Sequence, residues 1–129
     1  MRYPVVIEEG SERVAFGVVV PDLPGCFSAG DTLDEAMSNV EEAAAAWIDA
    51  TLDAGGSVPA PSSLEEIKER PEFKGWTFGV VSIDPALLDD TTTRINVSLP
   101  VRVLKRLDAK VRDSGEKDRS SYIARMAMG

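Results

Sequence analysis

Residues 20–36 read Val20-Pro21-Asp22-Leu23-Pro24-Gly25-Cys26-Phe27-Ser28-Ala29-Gly30-Asp31-Thr32-Leu33-Asp34-Glu35-Ala36, and they carry the chain from sheet into helix. Two prolines and two glycines fix turns and permit positive φ in the first half, which leaves room for one short strand at 26–29. Thr32 and Glu35 then stand at capping-box spacing, in which the Thr hydroxyl and the Glu carboxylate each satisfy an orphaned backbone donor. From there Leu33, Ala36, Met37, Val40, Ala44, Trp47, Ile48 and Leu52 recur at three- and four-residue steps until Gly55-Gly56 stops the pattern. The span 33–54 is about 33 Å of amphipathic helix. Its apolar face needs a sheet to cover.

The flanking sequence supplies that sheet. Val5, Val6 and Ile7 read as a first strand, and a turn over Glu9-Gly10-Ser11 leads to a second from Val14 to Val20, together a hairpin. Beyond the helix, Pro59-Ala60-Pro61 is a spacer, Ser63 and Glu66 repeat the capping-box spacing, and Pro71 closes a short helix. Trp76 to Ile83 alternates Trp76, Phe78 and Val80 against Thr77, Gly79 and Val81, the period of a strand with one face buried. The order β-β-(β)-α-β predicts an α+β layer, a mostly antiparallel sheet with a helix on one face.

With 129 residues the chain is one domain, or a small domain with an appended module, and 43% hydrophobic content is enough for a core. The longest uncharged apolar stretch, Val14 to Val20, is far short of the ~20 residues that span a bilayer, so no membrane segment is expected. The N-terminus lacks the apolar run and cleavage site of a secretory signal, and the single cysteine, Cys26, cannot form an intrachain disulfide. Both point to the cytoplasm. The absence of histidine removes Ser–His and Cys–His nucleophile systems and the usual zinc sites. No cofactor or metal is expected.

The net charge of −8 conceals two opposite parts. Residues 1–93 hold 5 Lys and Arg against 18 Asp and Glu, a net of −13, whereas residues 94–129 hold 9 against 4, a net of +5. An acidic body with a basic tail reads as two electrostatic jobs. Ile83-Asp84-Pro85 ends a strand-like run and Asp89-Asp90-Thr91-Thr92-Thr93 has no periodicity, so the expected organisation is a domain over 1–84, a linker over 85–93 and a second domain over 94–129.

The run from Val20 to Ala36, preceded by a strand at Tyr3-Pro4-Val5 and followed by an alanine-rich helix, resembles the HicB-type antitoxin family of toxin–antitoxin systems. The resemblance covers essentially the whole N-terminal body. It implies a truncated ribonuclease-H-like sheet that binds and blocks a small RNA-cleaving toxin of the HicA type. An acidic surface suits a basic, RNA-binding partner, since complementary charge raises the encounter rate and orients docking. Asp22, Phe27, Ser28 and Asp31 are the candidate toxin contacts, with a purely structural turn as the alternative.

In the tail, Arg94, Asn96 and Ser98 alternate with Ile95, Val97 and Leu99, the pattern of a strand with a polar face. Pro100 suits a helix start, and Val103, Leu104, Leu107 and Val111 give a helical stripe ending at Ser114-Gly115. Asp118 or Ser120 can cap a second helix that buries Tyr122, Ile123 and Met126. At 36 residues this strand–helix–helix unit is below the ~40 that usually fold unaided, so two copies are expected to interlock, their edge strands pairing as an antiparallel ribbon that fits the DNA major groove. The pattern resembles the ribbon-helix-helix repressors. By position, Arg94, Asn96 and Ser98 would face base edges, while Arg119, Ser120 and Ser121 would offer amides and hydroxyls to phosphate. Asp118 disfavours an approaching phosphate.

These readings yield a non-catalytic antitoxin that neutralises a HicA-type toxin and represses its own operon on palindromic operator DNA as a homodimer or higher homo-oligomer. Two alternatives stand beside it. A ribonuclease-H-type metal nuclease would use Asp22, Asp31, Glu35 and Asp84, but those at the helix start are explained by the cap and the helix dipole. A ribbon-helix-helix repressor with a small-ligand-sensing N-terminal domain would need a ligand-directed cluster, whereas Trp47, Trp76 and Phe78 read as core and Cys26 as a small buried hydrophobe.

Overall fold

Five consecutive buried residues, Tyr3 to Ile7, make β1 (Arg2–Glu8) a central strand covered on both faces. It pairs antiparallel with β2 (Phe16–Val19) and β4 (Thr77–Ser82), and β2 pairs antiparallel with β3 (Phe27–Gly30), giving the order β3-β2-β1-β4. Met1 and Ile83 exchange backbone bonds, the Met1 amine donating at 2.8 Å and the Ile83 amide at 2.7 Å. Counting in twos from that pair, Tyr3↔Val81, Val5↔Gly79 and Ile7↔Thr77 hold the β1–β4 ladder. Pro4 falls between them with its nitrogen turned away from β4, beyond the end of β2, where no ladder bond is lost.

The computed structural model describes residues 1–129 as two units, Met1–Asp90 and Thr91–Gly129. In the first, α1 (Leu33–Asp53) lies over one face of the sheet. Thr32 caps it by accepting the Glu35 amide at 3.1 Å, and the Glu35 carboxylate returns to the Asp31 amide at 3.3 Å. Ala36, Val40, Ala44 and Ile48 form its buried stripe, packed in one core with Tyr3, Val5, Ile7, Val18, Val20, Val81 and Ile83. Leu23 and Cys26 belong to that core, and burial pushes the Cys26 thiol pKa up.

The two faces of β4 differ from the simple alternation expected. Val81 is the residue buried under α1, while Phe78 and Val80 turn to the opposite face, where α2 (Leu64–Lys68) packs on β4 with Ile67 fully buried. The sheet is therefore covered on both sides near β1 and β4, because the chain crosses from one face to the other after α1. That crossing is tied down twice: the Tyr3 hydroxyl donates to the Pro59 carbonyl at 2.6 Å, and the Asp22 carboxylate accepts from the Ser62 amide at 2.8 Å and hydroxyl at 2.6 Å.

The body extends past residue 84. Asp84 accepts the Ala86 amide at 3.0 Å and opens a 3₁₀ turn over Pro85–Leu88, whose Leu88 packs on the core. The first residues of the segment read as a linker are thus part of the body, because Leu87-Leu88 supplies apolar surface that a solvated linker would leave in water.

In the second unit, α3 (Val101–Ser114) ends at Gly115, whose φ of +80° is the left-handed cap, and α4 (Arg119–Met128) follows. Residues 91–100 pair with no strand within the chain, so the strand expected at 94–100 has no ladder here. A ladder needs a second strand, and a single chain offers none to this segment.

Candidate partner and nucleic-acid interfaces

The four candidate toxin contacts divide by what their side chains already do. Asp22 is held by Ser62, and the Ser28 hydroxyl donates to the Ala36 carbonyl at 2.8 Å, bolting β3 to the first turn of α1. Phe27, 69% exposed, and Asp31 are open on β3 and just after it. Beside them α1 carries Asp34, Glu35, Glu41, Glu42, Asp49 and Asp53 with no Lys or Arg. This helix face was not singled out from the sequence, where only the summed charge was read; the signal was the absence of any basic residue from 33 to 53.

The carboxylates weighed as a nuclease site serve other ends: Asp22 ties the crossing, Glu35 completes the cap of α1 and Asp84 caps the 3₁₀ turn. No group of three or more Cys, Asp or Glu side chains is placed to hold a metal ion. Trp47 packs on the core and donates its indole N–H to the Pro24 carbonyl at 2.9 Å, and Trp76 stands edge-on to Phe73 at 6.2 Å.

In the second unit Arg94, Asn96 and Ser98 are all exposed. Their apolar neighbours are exposed as well, Ile95 by 75% and Val97 by 65%, with Leu99 beside them. Only Val111 and Tyr122 are buried in this unit, so its apolar stripe is largely unsatisfied within one chain. Asp118 is the cap of α4, accepting the Ser121 amide at 2.8 Å. Arg119 makes a two-pronged pair with Asp108, Nε to Oδ1 at 2.7 Å and Nη2 to Oδ2 at 3.0 Å. Asp108 escaped sequence reading because α3 and α4 bring it to Arg119 only after both helices dock. Ser120 is exposed at the same helix start.

These pairings set the acid behaviour of the unit. The hydrogen bond from Arg119, above all, holds the Asp108 carboxyl below its ordinary value of 3.8, and the Ser121 amide does the same for Asp118. A depressed carboxyl stabilises the fold above its unfolded value and loses that contribution as pH falls through the folded value. NMR titration of the two side-chain carboxyl carbons is expected to give midpoints below 3.8 for both. Arg119→Gln should raise the Asp108 midpoint and leave that of Asp118 in place; no movement of Asp108 would contradict the pair.

An acidic α+β body built on a four-stranded antiparallel sheet, followed by a basic helix pair, defines the chain as a small two-unit α+β protein. Residues 3–127 match the family model described as the HicB-like antitoxin of bacterial toxin–antitoxin systems, and the chain belongs to that family. A 14.9 kDa uncharacterized protein from the rep-hol intergenic region of Haemophilus phage HP1 is 37% identical over 128 residues, covering 98% of this chain and 95% of its own. The crystal structure of the Burkholderia pseudomallei antitoxin HicB is similar with a TM-score of 0.63 at 36% identity, covering 99% of this chain and 96% of that one. A chain of the HicA3 and HicB3 toxin–antitoxin complex is similar with a TM-score of 0.57 at 36% identity, over 66% of this chain and all of that one.

Proposed function

We propose that the chain neutralises a HicA-type RNA-cleaving toxin through its acidic body and represses its own operon through its basic tail, without catalysis of its own and in the cytoplasm. The observation that carries the first half is the near-complete match to the Burkholderia pseudomallei antitoxin HicB, with the HicA3–HicB3 complex as the precedent for the partner. In this reading the sheet is a truncated ribonuclease-H-like layer that has kept the scaffold and blocks the toxin by occlusion. The unbroken acidic face of α1 and the adjacent Phe27 and Asp31 are the docking surface, matched to the cationic surface an RNA-binding toxin needs.

The second half rests on the alternation at 94–99. Two copies pair these segments antiparallel as a ribbon, so that Ile95, Val97 and Leu99 leave water together and Arg94, Asn96 and Ser98 face the major groove of a palindromic operator. Ser120 and Ser121 sit where a phosphate would approach the start of α4. Arg119 serves the α3–α4 docking through Asp108 and contributes less to phosphate than its charge implies.

The test is inhibition of RNA cleavage. Stoichiometric full-length chain is expected to abolish cleavage by the HicA-type toxin encoded beside it, and undiminished cleavage at excess chain would refute the antitoxin reading. Reversing Glu41 and Glu42 to lysine should slow toxin association about tenfold or more at low salt, the difference closing as salt screens the charges. An association rate insensitive to both the charge reversal and salt would remove α1 from the interface.

A further inference from the structure

The unit Thr91–Gly129 holds cations that neither its packing nor base readout at 94–98 uses. No Asp or Glu occurs from residue 91 to residue 107, a stretch that carries Arg94, Arg102, Lys105 and Arg106. Within α3, Arg102, Lys105 and Arg106 stand at three- and four-residue spacing on one face, and all three are exposed. Leu104, Leu107 and Val111 take the opposite side, where they are half-buried or buried. The salt bridges of the unit, Arg119–Asp108 and Arg125–Glu116, involve none of the three cations. The next acid on their face, Asp113, lies seven residues beyond Arg106, about 10 Å along the helix.

Such a cluster is unfavourable in the free chain. Like charges at these spacings repel one another, and Arg102 lies in the first turn, where the helix dipole disfavours a cation. The helices of the body obey that rule, α1 with Asp34 and Glu35 and α2 with Glu65 and Glu66 in their first turns, whereas α3 has no acid there. A polyanion on the outer face of α3 reverses the sign of both terms.

We propose that Arg102, Lys105 and Arg106 form a sequence-independent grip on the DNA phosphates bordering the groove that residues 94–98 enter, an inference that rests on the DNA-binding reading of the tail. Reach supports it. Arg102 follows Ser98 by four residues, at most about 14 Å of extended chain, and the major groove is about 12 Å wide, so its phosphate wall lies within range of the start of α3. Charge supports it as well. At the start of α4, Asp118 is the cap and Arg119 is taken by Asp108, which leaves that helix start little positive charge for phosphate. The neutralising charge then comes from α3, and two paired tails bring three cations each to one duplex. An acidic protein surface would suit the same cations, but the ribbon puts DNA beside α3.

The experiment is binding of the full chain to a duplex from its own promoter and to a scrambled duplex of equal length, across a salt series. The triple change Arg102→Gln, Lys105→Gln and Arg106→Gln is expected to weaken both by the same factor, roughly tenfold or more, and to make the salt slope shallower by about five, the value for six lost phosphate contacts. The preference for the promoter stays unchanged. Glutamine has nearly the helix propensity of lysine and arginine, and the charge-keeping set Arg102→Lys, Lys105→Arg and Arg106→Lys should retain affinity and slope. Should the triple variant not fold, Arg106→Gln alone decides, with a slope shallower by about two. Unchanged affinity and slope overturn the proposal, as does a loss confined to the promoter duplex. Slower toxin association with unchanged DNA binding assigns the face to a protein and equally overturns it. A wild-type chain that binds both duplexes alike refutes base readout at 94–98, and a shallower slope in the triple variant then still supports the grip.

Discussion

Replacing Arg94 and Asn96 together with alanine is expected to lower operator affinity at least roughly a hundredfold, with inhibition of the toxin unchanged. A bidentate Arg–guanine or Asn–adenine contact contributes about 1–3 kcal/mol of discrimination, and about 1.4 kcal/mol is a factor of ten in affinity. Losing both types from each strand of a paired ribbon therefore reaches a hundredfold even at the low end. The two side chains stand exposed in the unit Thr91–Gly129, whereas the proposed toxin surface belongs to Met1–Asp90, which is why toxin inhibition serves as the internal control. Fluorescence anisotropy on operator and scrambled duplexes at two salt concentrations separates the modes. Base readout predicts that operator binding collapses toward the scrambled level. A phosphate role for Arg94 predicts a uniform loss on both duplexes and a salt slope shallower by about two, one for each copy in the ribbon. Retained operator affinity in the double variant would remove the ribbon assignment.

Gly30→Ala is expected to destabilise the body by about 3 kcal/mol or more, the upper range for overpacking a tight site. A methyl group at Gly30 would lie 2.5 Å from the Ala36 nitrogen and 3.0 Å from both the Ala36 Cα and the Glu35 carbonyl carbon. All three are backbone atoms in the first turn of α1 and no rotamer change can move them, so the helix must lift from β3. Lifting it breaks the Ser28–Ala36 and Asn39–Ala29 hydrogen bonds that bolt the two elements together. For a domain of this size 1 kcal/mol corresponds to about 4–8 °C in melting temperature, so a fall of more than about 10 °C is expected in calorimetry. Gly25→Ala is the control: its φ of +83° makes alanine strained, but no neighbouring atom lies within 4 Å of the added methyl, and the loss should be about 1–2 kcal/mol. A Gly30→Ala protein that melts with the wild type would mean that α1 does not approach β3 so closely.

The position of Gly30 illustrates how far local sequence reaches. Capping boxes at Thr32/Glu35 and Ser63/Glu66 act within four residues, so the starts of α1 and α2 were readable, and both caps are made in the fold. The stripe Ala36, Val40, Ala44, Ile48 followed from helical period alone. What local pattern could not say was which face of β4 the core would take. Trp76, Phe78 and Val80 outweigh Thr77, Gly79 and Val81 in bulk, yet Val81 is the residue buried under α1, because the helix had already claimed the face shared with Tyr3 and Val5. The toxin candidates show the same limit. Asp22 looked like a surface carboxylate until the crossing chain brought Ser62 to it from forty residues away.

The linear order of residues was sufficient for the antiparallel α+β body, for the opposed charges of body and tail, and for the helix pair after Pro100, since each depends on contacts along the chain or on composition. Tertiary structure alone decided that α2 covers the second face, that Asp22 is held by Ser62 and that Asp108 occupies Arg119. The reason is one of range. Periodicity and capping are settled over a few residues, whereas the occupancy of a carboxylate or a sheet face depends on which distant segment arrives there first.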